Sequence, residues 1–239
     1  MAGKKNNNNK RTPVRPASTR PTGFYYVLGA VALIGASILG YSMTRKQSAA
    51  VGTDAVANAG PVGTAQGYLI GKPDAPVKIE EFADFECPGC GQFATVTEPD
   101  VQKRIIDAGL ANLTYYDFPL PQHKNSQAAS NAAACAADQG KFWEMHDAIF
   151  GAQDEWNTEA TDNPKPFFQR YAERLGINPV VWEACYDARK HQGRIMANAA
   201  EGERRKVNST PTFFIGGKKY EGALPYDALK AIVDSATKK

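Results

Sequence analysis

Histidine and cysteine are scarce in this chain. Its 239 residues include three of the first and four of the second, with a single Cys-x-x-Cys pair. That scarcity counts against zinc modules, which need a second such pair or paired histidines to complete a tetrahedral set. Acid is missing altogether from the start. No Asp or Glu precedes Asp54, while Lys4, Lys5, Lys10, Arg11, Arg15, Arg20, Arg45 and Lys46 place eight positive charges there. Of 28 basic residues, 20 remain to meet all 25 acids, so the formal +3 averages a strongly basic start and a remainder at −5. The mild overall basicity is therefore no sign of a nucleic-acid partner. No internal repeat is evident. A mean hydropathy of −0.43 excludes a multi-span membrane protein, and 43% hydrophobic residues exclude a wholly disordered one. The length suits one domain of ordinary size plus an appendage.

Charge is also absent between Pro21 and Thr44, where Phe24-Tyr25-Tyr26 opens an apolar run that ends near Tyr41. Twenty residues at helical rise cover about 30 Å, the thickness of a bilayer core. The reading is a cytoplasmic disordered stub over 1–22, a transmembrane anchor over 23–44 and a flexible linker over 45–66. Six basic residues before the span and two after it place the N-terminus in the cytoplasm and all that follows outside. A cleaved signal peptide, cut at Ser48-Ala49-Ala50, is the competing reading. Its apolar region would be overlong, with Arg45-Lys46 awkwardly before the cut. The linker, rich in Ala, Gly, Thr and Val, has a reach of about 25 Å.

From Gly67 the pattern is globular. Val77 to Phe82 is predicted as a strand by alternation and β-branched content, and Cys87 to Ala108 as a helix with Phe93, Val96, Val101 and Ile105 inward, kinked or interrupted at Pro99. Leu113 to Phe118 is a second strand, completing a βαβ unit. Helical patterns follow over Ser126–Gln139, Phe142–Phe150 and Pro166–Leu175. Another starts at Asn178-Pro179 and runs toward Arg189 or beyond. Thr212 to Ile215, Gly216-Gly217 and Lys218 to Glu221 form a hairpin, and Tyr226 to Ala236 a closing helix. The plan is α/β: βαβ, a helical insertion over about 122–206, then ββα.

Cys87-Pro88-Gly89-Cys90 stands where strand gives way to helix. A thiol at a helix N-terminus meets unpaired N–H groups and the positive dipole end, both of which favour thiolate. Cys87 is therefore the expected nucleophile and Cys90 the resolving thiol. Half a zinc site and a merely structural local disulfide are the alternatives. Zinc lacks further ligands, since Cys135 and Cys185 stand alone and only His123, His146 and His191 remain.

Phe82-Ala83-Asp84-Phe85-Glu86-Cys87-Pro88-Gly89-Cys90 resembles the active-site segment of DsbA-type thiol:disulfide oxidoreductases. Phe118-Pro119-Leu120, Gly140-Lys141-Phe142-Trp143-Glu144-Met145-His146 and Thr210-Pro211-Thr212-Phe213-Phe214-Ile215 extend the likeness in the same order. The resemblance implies a thioredoxin-like fold (βαβ–ββα) with an inserted all-helical subdomain over 67–239. It implies Cys87 as attacking thiol, Cys90 as partner, and Thr210-Pro211 as a cis-proline loop beside them; a trans proline opening an edge strand is the alternative. An acid six residues before the first cysteine is buried in that family, and Glu81 matches the spacing. Alternation puts Glu81 with Val77 and Ile79, although a solvated strand-end glutamate fits the same window. One departure is Gly89, where strongly oxidising relatives carry His; with Glu86 adding negative charge, Cys87 should be less acidic than theirs.

The motif uses two of four cysteines. If Cys135 and Cys185 are bridged, the closed loop contributes about 4 kcal/mol; two unlinked buried thiols are the alternative. His123 and His146 read as helix-end or packing residues without a partner. The expectation is an extracytoplasmic oxidoreductase that gives its disulfide to exported proteins and needs neither metal nor other cofactor. A quinone-linked membrane oxidase, DsbB- or VKOR-like, would reoxidise it. A reductase or isomerase using the same sulfurs is the first alternative, and a peptide-binding holdase with a structural disulfide the second.

Overall fold

The computed structural model describes residues 63–237. The stub, the anchor over 23–44 and most of the linker lie outside the described residues. Among the described residues, no helix is long and apolar enough to cross a membrane.

Strands β1 (Tyr68–Ile70), β2 (Val77–Ala83), β3 (Ala111–Asp117), β4 (Thr212–Ile215) and β5 (Lys218–Glu221) form one sheet in the order β1-β3-β2-β4-β5. Only β2 and β3 run parallel, with Glu81 opposite Tyr115; β4 pairs antiparallel with β2, setting Glu81 opposite Phe213. Their connection is the helical stretch α1 (Pro88–Gln92), α2 (Glu98–Val101) and two π-helical turns, Phe93–Thr97 and Gln102–Ile106. Pro99 has no amide hydrogen to give a regular helix. The α-helix is interrupted around it, and the chain widens just before: the Glu98 amide donates to the Phe93 carbonyl, five residues back. The extra residue rotates the faces, so Val96, expected inward, is 69% exposed, while Phe93, Val101 and Ile105 stay buried.

These three pack with Val77, Ile79, Leu113, Phe213 and Ile215 against the closing helix α9 (Tyr226–Thr237), through Leu229 and Val233. On the opposite sheet face Phe82, Phe118, Val207 and Phe214 form a smaller cluster. The hairpin turns on Gly216 and Gly217, at φ 55° and 79°, where a side chain would be strained.

Between β3 and β4 lies the helical insertion: α3 (Ser126–Ala137), α4 (Phe142–Gly151), α5 (Gln153–Trp156), α6 (Lys165–Arg174), α7 (Pro179–Asp187) and α8 (Gln192–Arg204). Ala129, Ala132, Ala133, Ala134 and Ala136 let α3 sit deep in its core, against Met145, Ile149, Phe168 and Trp182. Asn178 caps α7 by accepting from the amides of Val180 and Val181. The helix expected to run toward Arg189 or beyond ends at Asp187, two residues before Arg189 takes φ 47°, and α8 begins separately. At Gly202, in α8, a Cβ would lie 2.5 Å from the Phe118 ring, so glycine sets how closely α8 approaches the sheet.

Candidate active site

Cys87 is the N-cap of α1, with extended backbone (φ −72°, ψ 124°), and Pro88 fills the first helical position, where no amide donor is needed. Both Cys87 and Cys90 are free thiols here. The Cys87 Sγ donates to the Thr210 carbonyl at 3.3 Å, and the Thr210–Pro211 bond is cis. The two segments named by the sequence, 123 residues apart, thus meet at one sulfur. Gly89 keeps the approach open, since a Cβ there would stand 3.4 Å from the Pro211 ring.

The two thiols are electrostatically unlike. A hydrogen bond from Cys90 lowers the Cys87 pKa to about 5 against the opposing effect of burial, helped by the Thr210 side chain and the amides of Cys90 and Gly89. Cys90 is fully buried, and burial pushes its thiol up, with Cys87 reinforcing the shift. The Asp84 amide points at the Cys90 Sγ from 3.5 Å. Glu81 is 2% exposed, and burial raises its carboxyl to about 8. The structure thus places Glu81 inside, with Val77 and Ile79, and not in solvent.

Sequence reasoning missed the supports beneath this site. The buried Asp84 carboxylate accepts from the Glu86 amide (2.8 Å), the Leu120 amide (2.7 Å) and the Ser126 hydroxyl (2.5 Å), and lies 2.7 Å from His123 Nδ1. Glu86, read from sequence as a charge beside Cys87, is instead engaged by the amides of Asn125 (2.9 Å) and Thr158. From α5 the Gln153 side-chain amide donates to the carbonyls of Phe85 (2.7 Å) and Cys87 (3.0 Å). The insertion thus grips the cysteine loop at three points. His146, likewise expected to lack a partner, has Asp147 Oδ1 2.9 Å from Nδ1 and Glu98 Oε2 3.8 Å from Nε2. Most of their partners lie far along the chain, where no local pattern flags them.

Cys135 and Cys185 are joined at an S–S distance of 2.00 Å, linking α3 to α7. Among the described residues the one His/Cys/acid cluster with metal-like spacing is this pair with His191, and both of its sulfurs are committed to the disulfide. Cys185 and Trp182 are buried on α7, while Val181 is half exposed.

Residues 64–235 match the protein family described as Thioredoxin. Among curated proteins the chain is 37% identical over 177 residues to the Na(+)/H(+) antiporter NhaA 3 of Salinispora tropica, a match covering 74% of this chain. It spans only 26% of that antiporter's length. It is 28% identical over 177 residues to the probable disulfide bond formation protein D of Bacillus anthracis, covering 71% of this chain and 78% of that one. Among solved structures, alpha-DsbA1 of Wolbachia pipientis superposes with a TM-score of 0.66 at 21% identity, over 74% of this chain and 94% of that one. BdbD of Bacillus subtilis does so at 0.63 and 22%, over 75% and 100%. These likenesses bear on the fold: an α/β sheet of thioredoxin type carrying a helical insertion.

Proposed function

This chain belongs to the thioredoxin family, and from that premise we propose that it is an extracytoplasmic thiol:disulfide oxidoreductase that introduces disulfides into exported proteins through Cys87 and Cys90. One observation carries the reading. An acidic thiol at a helix N-terminus, held near pKa 5, sits beside a buried thiol pushed up, under the Thr210 carbonyl of a cis-proline loop.

The oxidised pair reacts in two displacements. A substrate thiolate attacks the Cys87 Sγ, the Cys87–Cys90 bond breaks, and Cys90 leaves with the electron pair and takes a proton. A second substrate thiolate then attacks the substrate sulfur of the mixed disulfide and expels Cys87 as thiolate. The substrate loses two electrons and both thiol protons. The enzyme keeps both electrons and one proton, on Cys90, and the other proton goes to solvent. A low Cys87 pKa makes it a good leaving group in the second step, which favours donation of the disulfide over its reduction. Glu81, the buried acid whose charge acts on Cys90, exchanges the Cys90 proton in this reading. Thr210 and Pro211 offer backbone to an extended client peptide crossing the sulfurs.

In this reading residues 23–44 anchor the domain, 45–66 tether it outside, and a quinone-linked membrane oxidase, DsbB- or VKOR-like, withdraws the electrons. Refolding of a reduced, unfolded secreted protein by the oxidised enzyme tests the activity. Cys87→Ser abolishes it if Cys87 is the attacked sulfur. Retained activity in that variant would identify a peptide-binding holdase.

A further inference from the structure

Cys90 raises a problem of proton supply. It is fully buried, so the thiolate formed when the disulfide opens is shut off from solvent, and Glu81, the acid whose charge acts on it, is buried too. A single Glu81 proton serves one turnover and must then be replaced across the core.

The structure holds a second buried carboxyl that the chemistry above leaves unused. Glu98 stands just after the π turn Phe93–Thr97, on the side of the helix that packs over the face of β2 bearing Val77, Ile79 and Glu81. Its Oε2, like that of Glu81, has no hydrogen-bond partner among the described residues. The basic group beside it is His146, 1% exposed and enclosed by the rings of Phe85, Tyr115, Phe142, Trp143 and Phe150. Nε2 of His146 lies 3.8 Å from Glu98 Oε2, a gap that a side-chain rotation or one water spans. Nδ1 lies 2.9 Å from Asp147 Oδ1, and that carboxylate is 73% exposed on its side chain. A packing role alone is a poor account of these groups, because a buried acid and imidazole are commonly less stabilising than apolar residues of the same size.

We propose that Glu98 and His146 are a proton path joining the buried Glu81–Cys90 pair to solvent at Asp147. This rests on the oxidoreductase reading above. When Cys90 takes the Glu81 proton, Glu98 returns one to Glu81. The imidazole then passes one to Glu98 from one nitrogen and regains one at the other, beside Asp147. One proton moves inward per disulfide opened, and no electron travels with it. Burial holds the Glu98 carboxyl up at about 8, with His146 opposing and the Glu81 charge adding to it, so both acids carry a proton at neutral pH. The other titratable groups facing the path are Cys87 and Cys90 from α1, Tyr115 from β3, and Asp84, whose carboxylate is already covered by His123 and Ser126. Lys141 and Glu144 pair with each other at the surface.

The test is the rate at which dithiothreitol opens the Cys87–Cys90 disulfide of the full chain, expressed per dithiothreitol thiolate and followed by acid quench across neutral and alkaline pH. Glu98→Gln is expected to slow it roughly tenfold near neutrality and to alter its pH profile, while the alkylation profile of Cys87 stays in place. His146→Gln should do the same, and the double variant no more than either alone. Should His146→Gln fail to fold, Glu98→Gln with Asp147→Asn, altered at the exposed end, carries the comparison. Rate profiles that superimpose on wild type overturn the path. Failure of the wild-type disulfide to exchange at all would overturn the oxidoreductase reading instead.

Discussion

Nδ1 of His123 lies 2.7 Å from Oδ2 of Asp84, and this pair fastens the start of the helical insertion to the loop that carries the cysteines. Asp84 also accepts from Ser126 and from the amides of Glu86 and Leu120, so one buried carboxylate is shared by four donors. Asp84→Ala would strand those donors in the core. The expected loss is about 3 kcal/mol, read as a lower urea midpoint. An unchanged midpoint would mean that the insertion is held without this carboxylate.

Cys87 sets a pH dependence on the reduced protein alone. Its folded pKa, about 5, lies below the ordinary thiol value of 9.0, chiefly through the hydrogen bond from Cys90. A depressed pKa stabilises the fold fully above the ordinary value and loses that contribution as pH falls through the folded one. The reduced form should therefore gain on the oxidised form from about pH 5 to about pH 9. Thermal midpoints of both forms across that range would check this, and parallel curves would contradict it.

Glu81 acts with the opposite sign. Burial raises its carboxyl from 4.5 to about 8, so the folded state holds a proton that the unfolded state releases. Stability then falls as pH rises between those values. Glu81→Gln removes the titration. Denaturation of the variant should match wild type near pH 4 and exceed it above about pH 8. Equal stability of the two at alkaline pH would mean that the carboxyl ionises without penalty.

The Cys135–Cys185 bridge belongs to the frame and not to the chemistry. Replacing both by Ala should lower stability by about 4 kcal/mol through the entropy of the opened loop. The exchange rate of Cys87–Cys90 should be unaffected. A slowed exchange in a still-folded variant would tie the bridge to the active site.

Much of this was legible in the sequence because it is written locally. Cys87-Pro88 at a strand-to-helix junction, the Gly216-Gly217 turn and the Asn178-Pro179 cap each signal their structure within a few residues. Alternation grouped Glu81 with Val77 and Ile79, and the family resemblance implied the burial it shows. What stayed hidden depends on distant partners. The three-residue β1 exists only because β3 pairs with it, and α8 is separated from α7 by a positive φ at Arg189 that periodicity does not report. Asp84, Glu86, His123 and Gln153 look like ordinary polar residues until the insertion folds over the cysteine loop. Val96 read as core because the helical count assumes 3.6 residues per turn, and the π turn before Pro99 breaks that count.

In the proposed reaction Cys87–Cys90 gives its disulfide away. The reduction potential of the pair, from equilibration with glutathione redox buffers at neutral pH, separates donation from reduction. A thiolate held near pKa 5 stabilises the reduced pair, so the value expected lies toward about −120 mV, that of a strong oxidant. A value near about −270 mV, that of a reductant, would contradict the claim.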